Sequence, residues 1–432
     1  MKAGKSFRYY SVVNITFSFF VFYFAVSLTN DALNTIIPAL EQMHGWTRGQ
    51  ITSSVTAGAL VSIFLFYVLG TLTLRLGVRR VMTASLLIVG IATIFMARTS
   101  AFGRFSIYIA IVQMFAAGLM LLPAILLSNW FVEKRGRALG LATIGAPFGG
   151  ATFNLIVGNV MMVKGFSFAY TGVGIVVLIL AVVGYFLIEN KPDDVGLAPD
   201  GASMSPEEIE EMKKEMENRE TAWTMKKIFT ARVTWLYMVS FGLLSLIITG
   251  IMSQLIPRLL DVGIPMQKAL WVLTCASILG MGLSYMWGWL DDKISTRKTC
   301  LIFAITFAVC AFSFIFASAQ NMGFVILAIA CLASLIGGMP NLEVSIVASI
   351  YGRKEFVNVS RYIRVVTGVF RSLGYAAMGV LYDFYGSYNM SYTLFIVFAI
   401  IAAALIYFIK PVQSERARSC LKPEGPMTSD SI

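Results

Sequence analysis

The chain contains the stretch Gly70-Thr-Leu-Thr-Leu-Arg-Leu-Gly-Val-Arg-Arg80 and, later, the related stretch Gly288-Trp-Leu-Asp-Asp-Lys-Ile-Ser-Thr-Arg-Lys298. The two copies share a spacing of glycine, leucine and basic residues, and they begin 218 positions apart, half of a 432-residue chain. Each copy joins two long apolar segments. A basic hairpin duplicated at this distance predicts two homologous helix bundles in one chain.

The composition places these bundles in a membrane. The chain is 57% hydrophobic and 13% charged, whereas about 25% of the residues of an ordinary soluble domain are charged. Crossing the hydrocarbon layer takes about 20 mostly apolar residues per helix. Twelve segments qualify: 10–37, 50–74, 81–98, 105–131, 138–162, 168–188, 232–257, 267–290, 299–317, 323–350, 358–381 and 391–410. We therefore predict an all-α membrane protein with twelve transmembrane helices in two pseudo-symmetric six-helix bundles. The helical scatter of polar residues argues against a β-barrel.

Basic residues crowd alternate connections between these segments. They lie before the first helix, in both hairpins, in the central segment and in the tail after Lys410. By the positive-inside rule, these connections and both termini face the cytoplasm, so we expect a multi-pass protein of the cytoplasmic membrane. The first eight residues run into an apolar helix with no cleavage site, which predicts a first span and not a removed signal peptide. The net charge of +11 is thus topogenic, and no nucleic-acid partner is expected.

Residue types that carry catalysis or metal binding are sparse. The five cysteines show no CxxC pair and no metal-ligand spacing, and His44 is the single histidine. No nucleophile–base set or phosphate loop is visible. The sequence therefore predicts neither an enzyme, nor a metal site, nor a bound cofactor.

The predicted organisation has four parts: an N-terminal bundle at 1–188, a cytoplasmic linker at 189–231, a C-terminal bundle at 232–410 and a cytoplasmic tail at 411–432. Within the linker, Ser205-Pro-Glu-Glu reads as an N-cap with an acidic first turn and predicts a short amphipathic helix. Duplicated bundles usually enclose a site at their shared interface. This arrangement predicts solute movement by alternating access.

Three stretches carry a family resemblance: Asn129-Trp-Phe leading into Lys134-Arg-Gly-Arg-Ala-Leu-Gly140, the segment 192–201, and Gly352-Arg-Lys-Glu-Phe356. With the twelve spans and paired hairpins, the chain resembles the major facilitator superfamily, and within it the oxalate/formate antiporter family and related monocarboxylate transporters. The resemblance implies a monomeric secondary transporter of a small organic anion, acting by proton symport or anion exchange.

The chain departs from the family pattern at several positions. The first hairpin has Leu74 where the superfamily usually carries an aspartate, whereas Asp292 is retained in the second hairpin. Helix 8 lacks the basic residue that the family often places there, and the usual cation position of helix 11 falls on Thr367. The resemblance implies a cytoplasmic gate, for which we expect the hairpin residues Arg75, Arg79, Arg80, Asp292, Lys293 and Arg297.

Charges inside the membrane are the most informative candidates for a binding site, because an arginine at the centre of a span costs about 2.5–3.5 kcal/mol. Arg364 and Arg371 lie two turns apart on helix 11, and Thr367 shares their face. Arg371, near mid-helix, is expected to bind a substrate carboxylate through its guanidinium fork; the alternative is an internal salt bridge. For Arg364 the alternatives are a pair with Glu343 on helix 10 and direct contact with the ligand.

Helix 1 supplies a second polar group, with Asn30 and Asn34 on one face and Asp31 beside them. Asp31 has several alternatives: a pair with Arg371, an ammonium site, a protonation site, or a helix end in contact with water. Because burial favours the neutral form of a carboxylate, Asp31 and Glu343 are the candidates for proton coupling.

Other polar residues at mid-depth extend the expected substrate site, although interhelical hydrogen bonding would explain each of them equally well. They are Gln113, Asn154, Gln254 and Tyr285. Two competing functions stay open: transport of an amine, amphipathic or zwitterionic compound through Asp31 and Glu343, and a solute sensor without net flux.

Overall fold

The structure is a computed structural model that describes residues 6–131, 135–197, 223–318, 320–351 and 356–409. The predicted amphipathic helix of the linker and the cytoplasmic tail lie outside these residues. In the described part all regular structure is helical, and twelve helices are long and apolar enough to cross a membrane. They are α1 (Phe7–Asp31), α2 (Arg48–Leu76), α3 (Val78–Arg98), α4 (Phe102–Trp130), α5 (Arg137–Lys164), α6 (Phe166–Leu187), α7 (Arg232–Ser253), α8 (Met266–Ile294), α9 (Thr296–Phe316), α10 (Met322–Tyr351), α11 (Tyr362–Tyr385) and α12 (Asn389–Tyr407). The predicted all-α, twelve-helix fold is confirmed.

The first helix of each half is interrupted, which the sequence did not predict. α1 ends in a π-helical turn, Ser27–Asp31, and the chain continues as the helix Leu33–His44. α7 stops at Gln254, which has φ −129° and ψ 24°, and resumes as Leu255–Asp261. Because the chain stays helical beyond Asp31, this residue is not at a helix end.

The two hairpins use different residues for the same tight connection. In the first, Gly77 adopts φ 83°, a conformation that glycine reaches without strain. In the second, Ser295 adopts φ 147° at the corresponding place between α8 and α9. Both connections therefore have a positive φ at the same place, although the residue and the angle differ.

Buried apolar side chains form two clusters. One is built almost wholly from α1–α6, with Trp130 and Tyr170 among its fully buried members. The other is built from α7–α12 and contains Phe303 and Phe307. We call α1–α6 the N-half and α7–α12 the C-half. Because each half has its own apolar core, it can move against the other without unpacking.

The halves meet along two antiparallel helix pairs, α2 with α11 and α5 with α8. Glycines permit this close approach: a Cβ on Gly379 would lie 2.2 Å from Thr52 Oγ1, and one on Gly158 would lie 2.8 Å from Leu270 Cδ1. The contact between α2 and α11 reaches Ile63 beside Gly368. Beyond it the helices expose their apolar faces, with Tyr67 80% and Leu74 88% exposed.

The halves therefore meet at one end of the molecule and part at the other. We call the end that carries the two hairpins the hairpin end, and the opposite end, which carries Arg48 and Asp261, the latch end. Between described residues, the hydrogen bonds and ion pairs that join the halves involve residues 29–56 and 151 of the N-half, from mid-membrane to the latch end. The molecule is closed at the latch end and open at the hairpin end.

Candidate functional site

The centre of the molecule is organised around the π-turn of α1. A π-turn widens the helix and leaves carbonyl groups without their usual partners. Here the amide of Gln113 on α4 donates to the carbonyls of Leu28 (3.3 Å) and Thr29 (3.0 Å). The hydroxyl of Tyr375 on α11 contacts the Thr29 carbonyl (3.1 Å) and Asn30 Oδ1 (2.6 Å). The turn is thus held from both halves.

Asp31, the last residue of this turn, carries a buried carboxyl group. It is 2% exposed, and its Oδ2 atom has no hydrogen-bond partner among the residues that the structure describes. Gly150, at the middle of α5, lies beside it: a Cβ there would be 3.8 Å from Asp31 Oδ2 and 3.3 Å from Ser277 Oγ. A buried carboxylate without a partner is costly, so this position favours a bound proton or a cation. The alternative of a helix end in contact with water is wrong.

Arg371 lies on α11 one turn from Tyr375, and its guanidinium lies beside the Tyr375 hydroxyl. The charge of Asp31 reaches the same hydroxyl. No carboxylate lies within ion-pair distance of Arg371 among the described residues, so the alternative of an Arg371–Asp31 salt bridge is not formed in this conformation. The Arg371 side chain is exposed.

The second helix 11 arginine has a different setting. Arg364 and Glu343 line one small cavity with Tyr237, but they form no ion pair in the described structure. The expected salt bridge is therefore absent in this conformation. Thr367 is buried, and its hydroxyl donates to the Ile363 carbonyl (3.3 Å) of its own helix.

The remaining predicted contacts fall into three groups. Asn34 is fully buried and uses both amide atoms on the backbone of α7, so it is not free for substrate in this conformation. Gln254 and Asn154 are fully buried; the Nε2 atom of Gln254 and both amide atoms of Asn154 lack partners in the described part of the chain. Tyr285 is 81% exposed on the parted portion of α8.

The predicted cytoplasmic gate is not assembled in this conformation. Arg79 pairs with Glu189 (2.7 Å) on its own side of the molecule. Lys293 lies over the Trp289 ring (4.6 Å) and Arg297 over the Tyr407 ring (5.0 Å), both within the C-half. Asp292, Arg75 and Arg80 are exposed. The contacts described for Arg79, Lys293 and Arg297 stay within one half, in keeping with the open hairpin end.

Sequence reasoning missed the group that closes the opposite end. Arg48, at the start of α2, bonds Asp261 through two nitrogens (2.8 and 3.0 Å) and Glu41 through its Nε (3.1 Å). Its guanidinium also donates to the Tyr388 hydroxyl (2.6 Å) and stacks over Tyr382 at 4.0 Å. We call these five residues the latch. The sequence did contain an indication of this group. Basic residues are scarce in the connections at the latch end, and Arg48 is one of the few.

A second contact supports the latch. The backbone N–H of Gly49 donates to Asp383 Oδ2 (2.9 Å) at the end of α11. Gly49 leaves room for this approach, since a Cβ there would lie 2.4 Å from the same oxygen. Arg48 and Gly49 thus join the N-half to α11 and to the helix that follows α7.

Comparisons with known proteins agree with this architecture. The profile of the Major Facilitator Superfamily matches residues 15–370. A bacterial homolog of the human lysosomal transporter Spinster, in an inward-facing and occupied conformation, superposes with a TM-score of 0.69 at 14% identity, covering 94% of this chain and 97% of that one. The D-xylose-proton symporter gives 0.72 at 12% identity, with 94% and 98% covered.

The inward open conformation of the xylose transporter XylE from E. coli gives a TM-score of 0.70 at 11% identity, with 92% and 95% of the two chains covered. Comparison with curated proteins gave no match. At these identities the structural likeness shows the fold alone, whereas the profile match covers most of the chain. The chain therefore belongs to the major facilitator superfamily, as a multi-pass membrane transporter and not an enzyme.

Proposed function

We propose that this transporter moves a small organic anion, most simply a carboxylate, with Arg371 as its main counter-charge. The observation that carries the proposal is a guanidinium in the middle of α11 that has no carboxylate partner among the described residues. A charge at this depth needs a partner or a wet cavity. The planar guanidinium fork matches the geometry of a carboxylate.

The proposed orientation places the hairpin end in the cytoplasm of a cell with both chain termini inside, because the basic connections lie at that end. In this orientation the described conformation is open toward the cytoplasm. Substrate would enter at the hairpin end, where α2 parts from α11 and α5 parts from α8. We propose that the protein acts as a monomer in the cytoplasmic membrane and that closing of the hairpin end assembles its gate.

Asp31 is the proposed coupling site. Its carboxyl group is buried and lies one residue beyond Asn30, whose side-chain oxygen accepts a hydrogen bond from the Tyr375 hydroxyl. A proton bound there would neutralise the carboxyl group, and its release would be linked to the contacts that Tyr375 makes. Glu343 is a weaker candidate, because it lines a separate small cavity with Arg364. If this proton crosses the membrane with the substrate, the mode is proton symport. If it stays bound, the mode is anion exchange.

The test is uptake of labelled oxalate, formate and lactate into proteoliposomes. For Arg371→Gln we expect a loss of about 100-fold in uptake of the transported acid, from two charge-assisted hydrogen bonds of about 1.5 kcal/mol each. Arg104→Gln, on the exposed first turn of α4, is the matched control. Unchanged uptake by Arg371→Gln would remove this residue from the site.

A second candidate is transport of a zwitterion or an amine, favoured by one observation: Asp31 adjoins Asn30, which bonds the Tyr375 hydroxyl, and Arg371 lies beside that hydroxyl without pairing with Asp31. Asp31→Asn separates the two functions. In proton-coupled anion transport this variant keeps exchange of labelled for unlabelled acid and loses uptake driven by a pH gradient. In amine or zwitterion transport it loses binding altogether. Flux with turnover by the wild-type protein would also eliminate a sensor without transport.

A further inference from the structure

The interruption of α7 has an unusual hydrogen-bond pattern. In a continuous α-helix the N–H of residue 256 donates to the carbonyl of residue 252. Here Ile256 N–H donates instead to Asn34 Oδ1 (2.9 Å), and Asn34 Nδ2 donates to the Met252 carbonyl (2.7 Å). Beyond the interruption, Arg258 N–H bonds Gln254 O (3.0 Å) in the normal pattern. One side-chain amide from the N-half thus occupies a single rung of a C-half helix.

Pro257 explains only part of this interruption. It has no N–H, so it removes the bond to the carbonyl of Ser253 whatever the conformation of the transporter. The rung between residues 252 and 256 lies one residue earlier and retains both its groups. In the described conformation both groups bond the inserted carboxamide of Asn34 and not each other.

We propose that Asn34 is a positioning residue that keeps α7 interrupted while the latch end is closed. When the latch end opens, Asn34 leaves and α7 forms the direct bond from Ile256 N–H to Met252 O. The proposal rests on alternating access as the mode of transport. It does not depend on the charge of the substrate or on proton coupling.

The energetic reason is the cost of unpaired backbone groups. Met252 lies at the end of α7 and Ile256 is fully buried, so withdrawal of Asn34 alone would leave a donor and an acceptor without partners. Pairing with each other satisfies both. The Met252 carbonyl and the Ile256 N–H therefore have hydrogen-bond partners in both states. Two discrete conformations of α7 are for this reason favoured over intermediates.

The latch also contacts the interruption of α7, through Gln254. Gln254, the residue at the interruption, accepts a hydrogen bond from the Tyr388 hydroxyl (2.7 Å) through Oε1, and Tyr388 in turn accepts one from Arg48 (2.6 Å). Asn34 is also tied to the π-turn through Asp31 O (3.3 Å). Separation of the halves at the latch end would therefore withdraw Asn34 and Arg48 together.

The test measures the latch-end distance without any substrate. Nitroxide labels at Gln42 and Gln267, both exposed and in different halves, are placed in a background whose five cysteines are replaced by alanine, in lipid nanodiscs. Pulsed electron paramagnetic resonance then gives the ratio of long to short distances between the two labels. Because no substrate is present, failure of the uptake assays leaves this measurement intact.

Asn34→Leu keeps the branched shape of the side chain and removes both hydrogen bonds to α7. We expect it to raise the ratio of long to short separations about 30-fold, equivalent to two ordinary buried hydrogen bonds. Thr35→Val is the matched control, because the bonds of Thr35 within the described residues go to Tyr170 and Ala32, both in the N-half. It should leave the ratio unchanged.

Ile256→Pro gives the opposite expectation. It removes an N–H that donates to Asn34 in the closed state and would donate to Met252 in the open one. Its ring would in addition clash with the Met252 carbonyl in a continuous α7, so the long-separation population should fall below that of the wild type. Hydrogen exchange adds a second measurement: in Asn34→Leu the amide of Ile256 should remain protected, through the direct bond to Met252. The proposal is overturned if Asn34→Leu behaves as Thr35→Val does, if the two interruption variants shift the ratio in the same direction, or if the Ile256 amide loses protection.

Discussion

The latch offers the most direct quantitative prediction, through the substitution Asp261→Asn. The Arg48 side chain is 7% exposed and that of Asp261 is 25% exposed, so their bidentate contact is largely shielded from water. Two charge-assisted hydrogen bonds are each worth about 1.5 kcal/mol at the low end of their range, and the asparagine oxygen, a neutral acceptor, keeps one bond of about 1 kcal/mol. The closed latch end should therefore lose about 2 kcal/mol relative to the open one.

That loss corresponds to a shift of about 30-fold in the ratio of open to closed molecules. The assay is the rate of alkylation of Thr52→Cys by a membrane-impermeant thiol reagent, in a background without native cysteines. Thr52 is fully buried against α11, where a Cβ on Gly379 would nearly touch it. A cysteine there reacts only when the latch end opens, so its rate should rise with the open population.

The matched control for the latch is Glu41→Gln. Glu41 belongs to the same half as Arg48, is 39% exposed and makes one bond of 3.1 Å, so we expect less than about a fivefold change in rate. Equal rates for Asp261→Asn and the wild type would refute the reasoning, and so would a larger effect of Glu41→Gln. Either result would mean that the contact between Arg48 and Asp261 does not close this end.

Three further predictions concern stability and binding. Gly145→Ala should lower the thermal unfolding temperature, at a cost of about 1–3 kcal/mol, because its Cβ would overlap the Phe19 carbonyl; Gly140→Ala, on the same helix with open space around it, should not. Burial raises the pKa of Tyr388 well above its usual value, so this residue stabilises the folded protein below about pH 10 and loses that contribution above it. Unfolding measured against pH should show less alkaline loss for Tyr388→Phe. Tyr375→Phe frees the π-turn from α11. The transported acid should then be needed at about tenfold higher concentration to produce the same thermal shift.

Much of the architecture could be predicted from the sequence because it depends on local properties. Helix number follows from the length of apolar segments, and the duplicated hairpins follow from a repeat that is visible in the chain. The position of Arg371 in the middle of a span followed in the same way. The interruptions of α1 and α7 could not be predicted: Pro257 marks a kink but does not say which backbone bond is lost.

The roles of individual polar residues could not be predicted from the sequence, because they depend on how the two halves are placed. Asn34 was expected to contact substrate, and only its placement beside α7 shows that it bonds Met252 and Ile256. Arg364 and Glu343 line the same small cavity, yet they form no ion pair in the described structure. Depth in the membrane can be read from position along a helix, whereas the direction and spacing of side chains cannot.

The amino-acid sequence by itself determined the membrane location, the twelve helices and the membership of a transporter superfamily, because apolar length and the hairpin motif are properties of short segments. Only the tertiary structure decided which end is closed. Arg48 and Asp261 are 213 positions apart, and their contact exists only because the two bundles rest together at the latch end. A contact between separately packed cores depends on how the bundles are placed, and that placement is what changes during transport.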